Sequence, residues 1–389
     1  MNYFLEGHKR KNTGTYKWDG QKNPNALPFW VADSDYETAP EIVKAFIQRS
    51  EQGHFGYQML QDDYYQAIIG WHQKRYETKI AKEWIIPIPG VVASIKQALE
   101  LWTNPGDKVL IQTPVYFQFQ RVVTLSKRIL VENKLRIENN RYEMDFEDLE
   151  EKFKNGVKMM VLCSPHNPVG RVWQKEELEQ VLTLCQKYQV LLISDEIHGD
   201  IIMPKYRFVS MNSLTKEEHL VMVSTAPSKT FNLAGLKSAY VIIKNPQLRN
   251  KYQEHLTSAF LPGLNVYGIL GTQTAYTKGE KWVIAQNKHL WTNYNYLRKK
   301  LSKDLPQAQV ASLEGTYLAW INLTYLNRTS QELVNCLSQE GITVNDGSTF
   351  GADYQGFIRF NLACSFRQLG QGIDILIKAI KKIEKAPNQ

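Results

Sequence analysis

The middle of the chain alternates short apolar segments with amphipathic segments, and this alternation restricts the fold more than any other feature. Apolar residues recur at helical spacing in the segments between the strands, as over residues 175–188. Strands that are apolar throughout are buried on both faces, which is typical of a parallel sheet covered by helices. We therefore predict an α/β fold with a mostly parallel sheet flanked by helices. The predicted strands are residues 109–112, 128–132, 159–163, 190–193, 220–223 and 239–243.

The length of the chain and a change of pattern along it indicate two domains. A chain of 389 residues is too long for one simple core. After about residue 244 the pattern becomes mainly helical, and the C-terminal part has the pattern of a separate α+β unit. We predict a large domain over residues 50–285 and a smaller α+β domain that combines residues 1–49 with residues 286–389.

Composition is that of an ordinary enzyme. Hydrophobic residues make up 43% and charged residues 22%. No apolar run reaches the ~18 residues of a membrane span, and the polar start lacks a signal-peptide core. The four cysteines have no metal-type spacing, so we expect no metal site and a reducing, cytoplasmic location.

The chain has a net charge of +8 and a pI near 9.0, so nucleic-acid binding has to be considered. The basic residues are spread along the chain, and the densest groups, at 8–11 and 378–385, look like a solvated arm and a helix face. We therefore expect no nucleic-acid partner. An anionic cofactor or a carboxylate substrate suits the positive charge equally well.

Four unusual side chains follow predicted strands: Tyr116, Asn167, Asp195 and Lys229. Ligands bind beyond the carboxyl ends of the strands in open parallel sheets. Each residue alone has an ordinary explanation, such as a turn residue, a helix cap or a surface lysine. Together they supply a flat ring for stacking, an amide donor, a carboxylate and an amine, which is the set that pyridoxal 5′-phosphate (PLP) requires.

Three motifs strengthen this interpretation: Ser-Pro-His-Asn-Pro-Val-Gly at 164–170, Ser-Asp-Glu-Ile-His at 194–198 and Ser-Lys-Thr-Phe-Asn-Leu-Ala-Gly at 228–235. They resemble the motifs of fold-type I PLP enzymes, which have the aspartate aminotransferase fold. Further segments resemble the cystathionine β-lyase branch of the class I/II aminotransferase superfamily, the carbon–sulfur lyases of the MalY/PatB type. These segments are 30–33, 56–57, 89–92, 195–198, 314–320 and 356–363.

The resemblance implies PLP as cofactor, with Lys229 as the catalytic Schiff-base lysine. Asp195 would keep the ring nitrogen protonated, Tyr116 would stack on the ring, and Asn167 would donate to its phenolic oxygen. The other residues expected to bind the cofactor are Val91 and Val92 at a helix N-terminus, His198, Ser228, Lys237, and Tyr57 from a neighbouring subunit. The last of these implies a homodimer with shared sites.

The substrate would be an amino acid. By the same resemblance, Arg359 would bind its α-carboxylate through a bidentate fork, aided by the backbone near Ala32 and by Tyr116. The chain departs from many aminotransferases at three positions. His198 replaces a tyrosine, Lys237 replaces a phosphate-binding arginine, and Ala226 lacks a hydroxyl that relatives often carry.

The resemblance predicts β-elimination from L-cystathionine or a related L-cysteine thioether, which yields a thiol, pyruvate and ammonia. Two alternatives stay open. An aminotransferase would use the same cofactor residues, and only its need for a 2-oxo acid acceptor would distinguish it. A regulator that binds another protein is the second alternative, although the complete cofactor set argues against that as its sole role.

Overall fold

The computed structural model describes residue 4, residues 10–261 and residues 263–385. The basic group predicted at residues 8–11 therefore lies partly outside the described residues. The helices are α1 (Tyr16–Asp19), α2 (Pro40–Glu51), α3 (Asp62–Tyr76), α4 (Val91–Trp102), α5 (Phe117–Leu125), α6 (Phe146–Lys154), α7 (Lys175–Lys187), α8 (Met211–Leu214), α9 (Pro246–Ser258), α10 (Val266–Lys278), α11 (Glu280–Asp304), α12 (Ser330–Glu340) and α13 (Phe366–Lys385).

The other regular elements of the described chain are strands and short 3₁₀ helices. The strands are β1 (Leu27–Pro28), β2 (Ile85–Ile88), β3 (Lys108–Thr113), β4 (Ile129–Lys134), β5 (Arg136–Glu138), β6 (Arg141–Glu143), β7 (Val157–Cys163), β8 (Leu191–Asp195), β9 (Val221–Thr225), β10 (Ala239–Ile242), β11 (Gln309–Val310), β12 (Leu318–Asn322), β13 (Ile342–Thr343), β14 (Asn345–Asp346) and β15 (Phe357–Asn361). The 3₁₀ helices are Lys82–Trp84, Ala234–Leu236, Thr324–Leu326 and Gly347–Phe350.

The central element is a seven-stranded sheet in the order β2-β10-β9-β8-β7-β3-β4. Strand β10 pairs antiparallel with both of its neighbours, and the other strands run parallel to one another. This arrangement confirms the predicted α/β fold with a mostly parallel sheet. Each predicted central strand is present, and no end differs by more than two residues.

Alternate residues of the central strands enter two separate cores, one on each face of the sheet. In β7, Met160 and Leu162 belong to one core, while Met159 and Val161 belong to the other. All four side chains are fully buried. Burial on both faces explains why the strands have no polar alternation in the sequence.

Two polar residues extend β9 beyond the apolar run that predicted it. Ser224 and Thr225 are buried, and their hydroxyl groups form hydrogen bonds. The Ser224 Oγ lies 2.7 Å from the Ser94 Oγ of α4, and the Thr225 Oγ1 donates to the Glu196 carbonyl at 3.1 Å. Because these bonds replace those to water, polar side chains are tolerated at the carboxyl end of a buried strand.

The C-terminal part adds a four-stranded antiparallel sheet in the order β11-β12-β15-β14. The short strand β1 pairs in parallel with β13, so the N-terminal segment joins this part of the molecule. The predicted domain boundaries fall inside α2 and α11, so each of these helices would be shared by both domains. The division itself stays a prediction.

Within the described ranges, no helix is long and apolar enough to cross a membrane. Over the same residues, no group of three or more histidine, cysteine or acidic side chains is arranged to hold a metal ion.

Helix α13 packs closely on the N-terminal segment at Gly372, which generates our first prediction. A Cβ at Gly372 would collide with the Phe29 ring, whereas a Cβ at Gly370 would meet only the Tyr296 hydroxyl at 3.9 Å. We expect Gly372→Ala to lower stability by about 1–3 kcal/mol through overpacking.

Gly370→Ala is the matched control in the same helix, and it should raise stability by about 0.5–1 kcal/mol because alanine favours helix. Thermal unfolding of the two variants measures both effects. Equal melting temperatures would contradict the close packing at Gly372.

Candidate functional site

A cavity of about 410 Å³ opens at the carboxyl ends of the central strands. It lies where ligands bind in open parallel sheets. Its walls come from the start of α4, the start of α5 and the segments that follow β7, β8 and β9. The lining residues are Ala32, Pro89, Gly90, Val91, Val92, Ala93, Tyr116, Cys163, Asn167, Asp195, Ile197, His198, Ala226, Ser228, Lys229, Ala234, Lys237, Ser238 and Ala239.

Lys229 provides an amine on the cavity wall. It lies in the turn after β9, and its Nζ donates a hydrogen bond to the Ala32 carbonyl at 2.7 Å. Burial lowers the pKa of Lys229 to about 8, and nearby Arg359 adds to the lowering, while Asp33 and Asp195 oppose it. An amine with this pKa is partly neutral near pH 8, so it can attack a carbonyl group or accept a proton.

Asp195 provides a buried carboxylate at the end of β8. Its Oδ1 accepts a hydrogen bond from the backbone N–H of Ile197 at 3.0 Å. Burial raises the pKa of Asp195 to about 7, although that hydrogen bond and Lys229 both favour the charged form. A buried carboxylate with so little compensation suits a ligand that brings its own positive charge.

The N-terminus of α4 provides backbone N–H groups at the cavity. The helix begins at Val91 after the extended residue Gly90, and no side chain caps it. The first N–H groups of a helix lack partners within it, and the helix dipole favours negative charge there. Val91 and Val92 therefore offer backbone N–H groups to an anion, and their role in binding the cofactor stays a prediction.

Arg359 lies beside the cavity on β15 and is 2% exposed. Its Nη1 donates to the Asn167 Oδ1 at 3.1 Å, and its Nη2 donates to the Trp30 carbonyl at 2.7 Å and to the Asn345 Oδ1 at 2.6 Å. Its Nε is buried and has no hydrogen-bond partner. Burial lowers the pKa of Arg359 to about 10. The guanidinium is thus fixed in place, and it retains a donor for an anionic ligand.

Asn167 links this arginine to the cavity. The residue is buried in the turn after β7 and lines the cavity. Because its Oδ1 accepts from Arg359, its amide nitrogen is the group that can donate to a ligand. This hydrogen bond joins two residues that the sequence predicted for the site and that are 192 positions apart in the chain.

The remaining predicted residues around the cavity differ in burial. Tyr116 is half-buried, and burial raises its pKa, so the phenol stays protonated. His198 is buried, its Nδ1 has no hydrogen-bond partner, and burial lowers its pKa to about 3, so the imidazole is neutral. Ser228 is half-buried and Lys237 is exposed at the cavity wall.

Tyr57, like Arg359, is a predicted site residue outside the cavity lining. It is fully exposed in a segment without regular structure, with exposed Phe55 and Met59 beside it. Its predicted role in a neighbouring subunit stays a prediction.

Sequence reasoning missed several wall residues, among them Cys163, Ile197 and Ser238. Cys163 ends a strand beside the cavity, but its apolar surroundings in the sequence favour a core position. Burial raises the pKa of its thiol, so it contributes packing and not a nucleophile. The position of Cys163 at the carboxyl end of a strand was the available signal.

These residues fit PLP on chemical grounds. The uncapped start of α4 and Ser228 suit a phosphate, Asp195 suits a cationic ring nitrogen, and Lys229 suits an aldehyde. Ala226 lines the cavity with a methyl group, so it offers no hydroxyl to a phosphate.

Comparisons with known proteins identify relatives of the whole chain. The model of the family described as aminotransferase class I and II matches residues 26–376. Cystathionine beta-lyase PatB of Bacillus subtilis (strain 168) is 33% identical over 377 residues, which are 95% of this chain and 97% of that protein.

Two solved structures are similar over nearly the whole chain. A PLP-bound protein from Clostridium difficile 630, provisionally described as an aminotransferase, has a TM-score of 0.94 and 37% identity, covering 97% of this chain and 99% of that one. The PLP-bound C–S lyase from Staphylococcus hominis has a TM-score of 0.91 and 30% identity, covering 97% of this chain and 98% of that one.

The depressed pKa of Lys229 can be measured directly in protein freed of bound small molecules. We expect its acylation rate, followed by mass spectrometry against pH, to titrate near a pKa of about 8 because burial disfavours the ammonium. N-acetyl-lysine amide in the same reaction should titrate near the ordinary value of about 10.4. Titration of Lys229 at the value of the free compound would contradict the buried environment.

Proposed function

The chain belongs to the class I and II aminotransferase family, and we propose that it is a PLP-dependent carbon–sulfur β-lyase. Its substrate class is L-cystathionine and related L-cysteine thioethers, and its products are a thiol, pyruvate and ammonia. The observation that carries the proposal is the convergence of Lys229, Asp195, Asn167 and the start of α4 on one cavity. The similarity to a cystathionine beta-lyase and a C–S lyase supports this branch of the family.

PLP, when bound, withdraws electrons from the substrate Cα, so that a proton can leave Cα and a thiolate can leave Cβ. The protein residues supply the rest. Asp195 would pair with the cationic ring nitrogen, Tyr116 would stack on the ring, and Asn167 would donate to the phenolic oxygen. Backbone N–H groups of Val91 and Val92, with Ser228 and Lys237, hold the phosphate.

Lys229 holds and moves the proton. Its pKa of about 8 lets the neutral amine accept a proton at Nζ near neutral pH and release it again. The Ala32 carbonyl, 2.7 Å from Nζ, accepts a hydrogen bond from either protonation state and keeps the amine in the cavity. Neutral His198 adds a polar wall without a competing charge.

Arg359 orients the substrate through its α-carboxylate. Its guanidinium is held by Asn167, by the Trp30 carbonyl and by Asn345, so it needs little reorganisation when a carboxylate arrives. A carboxylate held there would place the substrate Cα within the same cavity as the Lys229 amine. Tyr116 and the backbone of Ala32 complete this substrate contact in our proposal.

The assay that tests the reaction uses purified protein, PLP and L-cystathionine without any 2-oxo acid. We expect steady release of pyruvate, because elimination regenerates the resting protein without an acceptor. L-alanine is the matched control substrate, since it has the same α-carboxylate and amine but no leaving group at Cβ. Turnover that begins only after a 2-oxo acid is added would replace the lyase by an aminotransferase.

The role of Lys229 can be tested by its removal. Lys229→Ala should lower turnover by roughly 10³-fold or more, because it takes away both the covalent amine and the general base. Lys22→Ala, at an exposed lysine, is the control and should keep wild-type turnover. Pyruvate release by Lys229→Ala at the control rate would rule out this mechanism.

The aminotransferase is the second candidate, and one observation favours it. The structural neighbour with 37% identity is provisionally described as an aminotransferase and also holds PLP. Such an enzyme would use the same residues of this cavity, so the cavity alone does not separate the two reactions.

We propose further that the protein is a homodimer with shared sites. The exposed segment that carries Phe55, Tyr57 and Met59 is apolar for a surface, which is typical of an interface. A groove between β2 and α9 shares Pro89 with the cavity, and we place the second copy against it. In this arrangement Tyr57 of one subunit reaches the phosphate site of the other.

The free cysteines of the described chain suit a cytoplasmic location.

Active sites shared between two subunits give a distinct pattern of PLP binding and activity in variants and mixed dimers. Tyr57→Phe should raise the Kd for PLP roughly tenfold, since it removes one hydrogen bond to a charged group. Tyr206→Phe, at another exposed tyrosine, is the control and should leave PLP binding unchanged. Mixed dimers of Tyr57→Phe and Lys229→Ala chains should regain activity at limiting PLP, because one of their two sites is intact. A mixture no more active than its separate components would contradict shared sites.

A further inference from the structure

We propose that Lys17 and Asp35 are positioning residues of this site, because their buried ion pair fixes the loop of residues 30–35. Two carbonyl groups of that loop hold Lys229 and Arg359. The predicted effect on turnover rests on the proposed function. The predicted effect on the loop itself does not.

The inner side of the loop contacts both functional side chains. The Ala32 carbonyl accepts from the Lys229 Nζ at 2.7 Å, and the Trp30 carbonyl accepts from the Arg359 Nη2 at 2.7 Å. Lys229 belongs to the turn after β9, whereas Arg359 belongs to the C-terminal sheet. The loop therefore sets the relative position of the amine and the guanidinium.

The outer side of the loop is held by Lys17. Its ammonium donates to the Asp33 carbonyl at 2.7 Å and to the Asp35 Oδ2 at 2.8 Å. The Lys17 backbone carbonyl accepts from the Trp30 Nε1 at 2.9 Å. Lys17 is 1% exposed, although it lies in the four-residue helix α1 near the start of the described chain.

Asp35 has several hydrogen-bond partners, so its carboxylate is held in one orientation. Besides Lys17, it accepts from the Trp18 Nε1 and from the Gln368 Nε2, each at 2.8 Å, and the Arg10 Nη1 lies 3.3 Å from its Oδ1. Arg10 also forms an ion pair with Asp33 at 2.9 Å. Burying both charges of the ion pair costs desolvation free energy, and apolar residues in their place often stabilise a fold equally well. The hydrogen bond from Lys17 to the loop carbonyl supplies what apolar residues cannot, which is a fixed position for the backbone.

Two asparagines attach the loop to the elements that carry the functional residues. The Asn361 Nδ2, two residues after Arg359, donates to the Val31 carbonyl at 2.6 Å and to the Asp33 carbonyl at 2.9 Å. The Asn232 Nδ2, three residues after Lys229, donates to the Ser34 carbonyl at 3.1 Å. These bonds remain when Lys17 is changed, so its loss should loosen the loop without releasing it.

The experiment compares Lys17→Met with wild-type protein, both loaded with PLP. The first readout is hydrogen exchange of peptides that cover residues 30–36, because the N–H groups of Asp33 and Asp35 bond to Val31 and Ala363 in the resting loop. We expect exchange there to rise roughly tenfold while the central strands stay protected. The second readout is steady-state kinetics, where kcat/KM should fall roughly 10–100-fold through both a lower kcat and a higher KM.

Two further variants complete the design. Lys22→Met, at an exposed lysine of the same region, is the matched control and should change neither readout. Trp18→Phe removes one hydrogen bond to Asp35 without unpairing a charge, so it tests the loop should Lys17→Met fold poorly. It should give the same pattern with smaller changes.

The outcomes are distinct. Faster exchange confined to the loop, with reduced kcat/KM, supports the proposal. Unchanged loop exchange in both variants overturns it, as does a rise spread evenly over the whole protein with a lower melting temperature, because that marks a purely structural pair. If the wild-type protein releases no pyruvate, the lyase proposal fails, and the exchange data still decide the role of the pair.

Discussion

Burial of the Lys229 amine is the constraint on which the chemistry of the site depends, and its Nζ has the Ala32 carbonyl as hydrogen-bond partner. A buried ammonium is costly, and it is tolerated only where a polar partner offsets the loss of water. Here the partner is a neutral carbonyl and not a carboxylate. The pKa of Lys229 therefore falls to about 8, with burial as the main cause. A direct ion pair would have stabilised the ammonium instead and removed the neutral amine that carbonyl chemistry requires.

The parallel sheet brings the other side chains of the site close to this amine. Neighbouring strands β7, β8 and β9 end at the same edge, so the residues that follow them meet although they are far apart in the chain. Asn167 and Asp195 reach the cavity in this way. The antiparallel strand β10 leaves from the same edge and brings Ser238 and Ala239 to the wall.

Much of the fold and most of the cavity could be predicted because their signals are local. Continuous apolar runs marked the strands, and Asp195 and Asn167 follow such runs within four residues. The strand ends were less accurate. Ser224 and Thr225 extend β9 because partners on other elements satisfy their hydroxyl groups, and a sequence does not reveal those partners.

What could not be predicted depends on contacts between distant segments. Lys17 lies in a polar stretch that looks like surface, and its burial follows from Asp35, Gln368 and the loop, which meet it only in the folded chain. The hydrogen bond between Arg359 and Asn167 is a second example, because each residue was recognised separately. Burial of a charge is therefore harder to predict than the identity of the group that carries it.

The placement of charge also limits how the two candidate reactions could diverge. In our proposal both reactions need the proton to leave Cα toward Lys229, and they differ in where a proton is next delivered. His198 is buried on the cavity wall with its Nδ1 unpartnered, and its pKa of about 3 keeps it neutral. A neutral imidazole lets the protonated lysine act as the main proton source in the cavity. Selection between elimination and transfer then falls to the substrate, because a thiolate at Cβ leaves readily and a hydrogen at Cβ does not. The same cavity would thus favour elimination whenever Cβ carries sulfur.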